Sequence, residues 1–501
     1  MSVNTLLNIE NASSVRKPSD IDQYTQTRFY DVNNGSQFPP NFIPDFLTFR
    51  NQNLQDFFDF GNGNLVLRFR MDKAAINNLQ TIRSDCRTWF DRVELRLNGT
   101  LIQDSSYFYK YADYSRSQFS PEYYKTIGST FYCYDNFMWD NPNLTLDGPT
   151  GVVPMFPVAV ISDNASLAVK SSYVNCNLSG AGKRYQLTSQ KLPDEDTNII
   201  QGKVLTATIP FRHLCPWFQQ LRCVLKNVSI ELKVYFRENQ LLLESYGGDP
   251  TDAKVYLNEA YIEIPKVVPS APNLIRMDAF LQKSPKIQIS FPNFKVVRNF
   301  LQPSIANQLI MIDNIPQRLI RASSFVVPKA RDSGSDFSLN PRDIVCVSAR
   351  NKIREFQYFV NSVPVPNTRM IVQQNDNAMT SNVGAGQTED THDIYRAYME
   401  LCEAMYENNP FSTENGLVSK FRNNGVYDYW SFSELFPYFT TPLDRSRNSE
   451  EYISGSAQLS AQVLTDGNAD LGDYWLWTVI EYISDTELQM EPTNCFVTMR
   501  N

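Results

Sequence analysis

Two histidines, His213 and His392, are all that the 501 residues contain. Their scarcity removes much of metalloenzyme and acid–base chemistry, because imidazole is the commonest metal ligand and the side chain that titrates nearest neutrality. Eight cysteines stand at 86, 133, 176, 215, 223, 346, 402 and 495, and no two are spaced as C-x-x-C. A zinc ribbon or a thioredoxin-type pair is therefore absent. The first twenty residues carry no apolar core of a secretory signal, so the expectation is an intracellular chain with reduced, buried thiols. Long hydrophobic runs are missing too. The longest uncharged one, Val152 to Ile161, holds two prolines and is too short to span a bilayer. Cations are in deficit: 46 Lys and Arg against 54 Asp and Glu leave a net charge of −8. A surface that grips nucleic acid needs clustered cations, so direct sequence-specific nucleic-acid binding is not expected.

Phosphate cradles are equally scarce. Gly180-Ala-Gly-Lys183 lacks the first glycine of a P-loop and the Ser or Thr after its lysine, and Gly61-Asn-Gly63 leads into a strand rather than a helix. Carboxylate pairs such as Glu259 with Glu263, or Asp485 with Glu487, are ordinary on an acidic surface, and no Ser-His-Asp set can be built. His213 reads as structural and His392, before Asp393, as part of a helix cap. No catalytic residue, cofactor or metal is assigned.

What is abundant is aromatic: 32 Phe, 26 Tyr and 6 Trp in a chain that is 42% hydrophobic and 20% charged, enough to fill large cores. Alternating runs predict strands at Asn64 to Arg70, Val93 to Leu97, Lys203 to Phe211, Val224 to Phe236, Val255 to Ile264, Gln458 to Leu464 and Tyr474 to Ile483. Asn98-Gly99 lies between two such runs. It predicts a type I′ hairpin turn, since both residues tolerate positive φ. A Tyr-rich stretch, Ser105 to Thr126, and an amphipathic helix over Thr391 to Glu407, with apolar residues at 394, 398, 401 and 405, break the pattern.

The chain also matches itself. Phe211, Leu214, Pro216, Trp217 and Phe218 follow the same F-x-x-L-x-P-[WY]-F pattern as Phe432, Leu435, Pro437, Tyr438 and Phe439. A looser match pairs the Asn98-Gly99 hairpin with a second one at Asn361-Ser362. A duplicated domain of about 220 residues explains this better than a solenoid. The expected fold is all-β: two tandem eight-stranded jelly-roll sandwiches with short helices in the connecting loops. The expected divisions are an N-terminal arm at 1–40, a first roll at 41–265 with an insertion at about 135–200, a proline-rich linker at 266–285 and a second roll at 286–501.

These features together resemble the double jelly-roll major capsid proteins of double-stranded DNA viruses, in the lineage of polinton-like viruses, virophages and the adenovirus hexon. The resemblance covers about residues 40–490. It rests on Ile209-Pro-Phe-Arg-His-Leu-Cys-Pro-Trp-Phe218 followed by Asn227-Val-Ser-Ile-Glu-Leu-Lys-Val-Tyr-Phe236, on a helix after a hairpin in each half, and on the ending Tyr474-Trp-Leu-Trp-Thr-Val-Ile-Glu-Tyr482. It implies a non-enzymatic homotrimer, a pseudo-hexameric capsomer that tiles an icosahedral shell around a double-stranded DNA genome. The implied partners are neighbouring capsomers, penton proteins and minor capsid or cement proteins, with no membrane span. The implied place is the virion capsid, made and assembled in the host cytoplasm or nucleus, with the 1–40 arm tying neighbours together. The residues alone leave open a β-sandwich that binds carbohydrate or hydrolyses glycosides, because aromatic-rich β-proteins also bind sugars, and a viral spike or accessory shell protein.

Overall fold

The computed structural model describes residues 21–51, 54–73, 80–82, 85–116, 145–148, 151–154, 200–201, 204–238, 242–245, 253–302, 304–315, 318–328, 353–371, 439–442, 457–465 and 474–500. The first half holds β1 (Ile21–Tyr30), β2 (Phe46–Arg50), β3 (Phe57–Phe58), β4 (Asn64–Lys73), β5 (Gln80–Ile82), β6 (Phe90–Leu97), β7 (Thr100–Ser106), β8 (Thr145–Gly148), β9 (Gly151–Pro154), β10 (Ile200–Gln201), β11 (Leu205–Pro210), β12 (Ile230–Phe236), β13 (Leu243–Ser245) and β14 (Ala253–Pro269). Its helices are α1 (Phe108–Arg116), α2 (Phe211–Leu214) and α3 (Trp217–Gln220). Helix α4 (Ala271–Leu281) follows, then β15 (Lys286–Leu301), β16 (Asn307–Ile315), β17 (Arg318–Pro328), β18 (Ile353–Val360), β19 (Val363–Ile371), β20 (Phe439–Pro442), β21 (Ala457–Thr465), β22 (Tyr474–Met490) and β23 (Cys495–Arg500).

The strands form because their apolar residues recur every second position. In β4, Leu65, Leu67, Phe69 and Met71 are fully buried; in β12, Ile230, Leu232 and Val234 point the same way. Every pairing among the described strands is antiparallel.

Sheet order reveals the duplication. One sheet of the first half runs β1-β14-β4, with β11 and β10 both on the far side of β4; its counterpart runs β15-β22-β17-β20. The facing sheets run β2-β12-β6-β7 and β16-β21-β18-β19. Each half is thus a jelly roll with the same order of four strand positions in each of two sheets, β10 and β11 sharing one position and β3 and β23 adding to β14 and β22, and the buried residues of both halves form one continuous hydrophobic cluster. The turns match as well. Asn98 and Gly99 have φ of 47° and 84° between β6 and β7, and Asn361 and Ser362 have φ of 49° and 65° between the equivalent β18 and β19.

Several boundaries differ from those read off the sequence. Residues 21–30, placed with the arm, pair along β14 from Ile21 with Pro269 to Tyr30 with Tyr261. Their polar alternation hides this, because an edge strand buries little. The stretch expected as a linker is ordered structure: β14 runs on to Pro269, and α4 starts from Ser270 with Pro272 in its first turn. Proline at that place is pre-organised for a helix and lacks only a donor that would be unpaired anyway. The strand expected from Val224 begins at Ile230, since Asn227 takes a positive φ of 61°. The Tyr-rich stretch contains α1. The helix over 391–407 lies outside the described residues, as does most of the insertion at 135–200, of which the hairpin β8–β9 is described.

Candidate functional site

Among the described residues, no group of three or more His, Cys, Asp or Glu side chains is placed to hold a metal, and no helix is long and apolar enough to cross a membrane. Buried aromatic and charged side chains converge where the two rolls meet.

The F-x-x-L-x-P-[WY]-F residues of the first copy sit at one corner of the first roll. The Phe211 amide donates to the Gly63 carbonyl at 2.9 Å, turning the chain out of β11 into α2, and Pro216 then starts α3. Phe211, Leu214, Pro216, Trp217 and Phe218 are all buried; the Phe218 ring lies 5.0 Å from Phe211 and 5.1 Å from Trp217. His213, also buried, has its pKa held well below the usual imidazole value by desolvation and by Arg87 and Arg212, so it stays neutral. A Cβ on Gly63 would stand 2.5 Å from the Phe211 ring. Gly63→Ala is therefore expected to cost about 1–3 kcal/mol by overpacking this corner, read as a lower urea midpoint at unchanged slope.

In the second copy, Phe432, Leu435, Pro437 and Tyr438 lie outside the described residues. Phe439 is described, and it opens β20. Because β20 pairs with β17 as β11 pairs with β4, the first copy of the motif follows its strand while the second ends where its strand begins. The two copies are not at equivalent places. The duplication is carried by strand order and by the two hairpins.

Helix α1 is the centrepiece of the junction. Arg87 anchors it from the first roll: its guanidinium donates to the Asp85 carboxylate at 2.7–3.1 Å and to Ser115 Oγ at 3.0 Å, all buried. The helix then presents aromatics to the second roll. Tyr111 stacks on Phe294 of β15 with centroids 3.4 Å apart and planes at 4°. Tyr114 Oη accepts a hydrogen bond from Ser323 Oγ of β17 at 3.1 Å. Trp477 of β22 meets Tyr107 and Tyr109 edge-on at 5.0 and 6.1 Å. The Lys110 ammonium, fully buried, lies 5.2 Å from the rings of both Tyr109 and Trp477.

Behind this aromatic layer, Arg321 of β17 pairs in two places with the Glu481 carboxylate of β22, one bond measuring 3.1 Å. Both side chains are less than a tenth exposed. Burial alone would lower the pKa of Arg321; the adjacent Glu481 charge outweighs that and raises it, so the guanidinium stays charged. The Arg321 guanidinium also lies 5.9 Å from the Tyr114 ring, which links the pair to the first roll.

Hydrogen bonds close the other end of the junction. Asn98 Nδ2 donates to the Cys495 carbonyl at 2.6 Å, and Thr100 Oγ1 to the Val497 carbonyl at 3.2 Å. Asn227 Nδ2 reaches the Glu491 and Pro492 carbonyls at 2.9 and 3.0 Å. The hairpin turn residue Asn98 thus also tethers the second roll. Cys215, Cys223 and Cys495 are free thiols, and burial pushes the pKa of Cys223 and of Cys495 up to about 12.

Sequence reasoning singled out Asn98 and the Tyr-rich stretch but not Arg87, Phe294, Arg321 or Glu481. The available signal was a charge inside an apolar strand run, as in Leu319 to Val327 and Tyr474 to Ile483. A long-lived charge there requires a partner, but sequence does not say which.

No family model matches the chain, and no curated protein matches it either. Solved structures do. A chain of the Sputnik virophage, from its 3.5 Å cryo-EM structure, is 13% identical, with a TM-score of 0.53 over 96% of this chain and 89% of that one. The mavirus major capsid protein is 12% identical, with a TM-score of 0.51 over 95% of this chain and 90% of that one. Over nearly its whole length, the chain has the double jelly-roll fold of these virophage and mavirus proteins.

Proposed function

We propose that this protein is a major capsid protein whose three copies form a pseudo-hexameric capsomer, the tile of an icosahedral shell around a double-stranded DNA genome. The observation that carries the reading is the pair of same-order jelly rolls locked together by α1, in a fold shared over 95% of the chain with the mavirus major capsid protein. Two similar wedges per chain give a trimer six of them around its axis, so a three-fold object presents a six-fold outline. The work is then surface complementarity rather than catalysis, and neighbouring capsomers, penton proteins and minor or cement proteins are its partners in the virion. The net charge of −8 suits a shell that encloses DNA without gripping it. Within the chain, the units divide at α4, with β1 belonging to the first roll.

Light scattering on the purified protein is expected to give three chains of 57.5 kDa, about 172 kDa, and negative-stain images are expected to show hexagonal blocks. A strict monomer that binds or cleaves glycans would replace this reading with the carbohydrate one.

A further inference from the structure

Helix α4 breaks the rule of a solvated helix. Its inner face is ordinary: Met277 and Leu281 are buried, and Asp278 lies 3.8 Å from Lys226 of the first roll. Its outer face should be charged. Instead the stripe at Ala271, Ile275 and Ala279 is exposed and apolar, with Ile275 72% and the neighbouring Leu274 39% exposed. Arg276 stands at its rim.

The register of β1 says what lies nearest. Ile21 pairs with Pro269, immediately before Ser270, from which α4 starts. Because β1 and β14 are antiparallel, β1 begins at the end of the sheet from which α4 starts. Residues 1–20, outside the described residues, carry Val3, Leu6, Leu7 and Ile9, so four of the seven positions from 3 to 9 are apolar. Val3, Leu6 and Leu7 have the i, i+3, i+4 spacing of one helical face. Residues 10–20 can span up to roughly 36 Å, more than twice the ~16 Å length of an eleven-residue helix. Tethering at that range gives an effective concentration of about millimolar order. Conversely, a stripe this small cannot bury the roughly 800 Å² per partner that stable association of separate molecules takes.

We infer that the apolar cluster of residues 3–9 docks on the outer stripe of α4 in its own chain, with Ile275 as the central contact. Glu10, which follows the cluster, then comes within reach of the Arg276 rim. The N-terminal segment is thereby a cover for the helix that joins the two rolls. This docking does not depend on the capsomer reading, since both partners belong to one chain.

Two measurements on the full chain test it. Leu6→Cys combined with Ile275→Cys, oxidised and digested, is expected to yield a disulfide between the introduced thiols in a product of single-chain mass, absent from either single variant. A two-chain product would mean that the segment reaches a neighbouring copy, and no such bond would mean that it docks elsewhere; either overturns the proposal. Hydrogen exchange guards against a folding artefact. Removing residues 2–10, or Ile275→Asp, is expected to speed exchange in α4 about tenfold while leaving β14 unchanged. Equal α4 exchange with and without the segment would also overturn it. Loss of trimers with intact docking would sink the capsomer reading alone.

Discussion

Arg321→Ala is expected to lower the unfolding free energy by about 3–5 kcal/mol, because it leaves the Glu481 carboxylate buried without its partner. The matched control separates this from the worth of the pair. Replacing both residues with apolar side chains of similar volume, Arg321→Met with Glu481→Leu, is expected to recover most of the loss, since two charges then no longer need to be desolvated. Urea unfolding followed by tryptophan fluorescence reads both, and Trp477 lies on the same strand as Glu481. A single variant within about 1 kcal/mol of the native protein would show that water reaches the pair, as it does at exposed ion pairs.

Tyr111→Ala is expected to cost a similar amount, about 3–5 kcal/mol, through the cavity left against Phe294. The position of the loss matters more than its size. Tyr111 belongs to the first roll and Phe294 to the second, so the truncation loosens their docking as well as the local core. Calorimetry is expected to show one cooperative transition in the native protein and two resolved ones in the variant. Tyr111→Phe keeps the stacked ring and is expected to stay within about 1 kcal/mol. A double-mutant cycle with Phe294→Ala is expected to give a coupling of about 0.5–1.5 kcal/mol for the ring pair. Additive losses would mean that the two rings contribute independently and that the junction is held elsewhere.

The difference between Asn98 and Arg321 shows how far sequence reaches. Asn98-Gly99 was legible because a type I′ turn is a local demand: two consecutive positive φ values select Asn and Gly whatever the rest of the chain does. The strands were legible for the same reason, as a period of two is written along each run. Arg321 and Glu481 are 160 positions apart, and their pairing depends on the register of β17 with β22. A register is a property of two strands together and leaves no mark in either. The repeated F-x-x-L-x-P-[WY]-F pattern is the opposite lesson. Its residues match, yet Phe439 starts a strand whose equivalent precedes Phe211. Aromatic and proline side chains suit any tight corner of a sandwich edge, so the pattern marks a kind of place rather than one place.

By itself, then, the sequence determined that the chain is all-β, duplicated, rich in aromatic core and poor in the side chains of catalysis, because each of these is a matter of composition or of short-range period. Only the tertiary structure decided that β1 belongs to the first roll, that α4 carries an exposed apolar stripe and starts beside Ile21, and that α1 with Tyr111 and Tyr114 joins the rolls. Those outcomes depend on which surfaces, far apart in the chain, bury each other. Burial energy is non-directional and proportional to shared area, so it is settled by packing the whole chain and not by any segment of it.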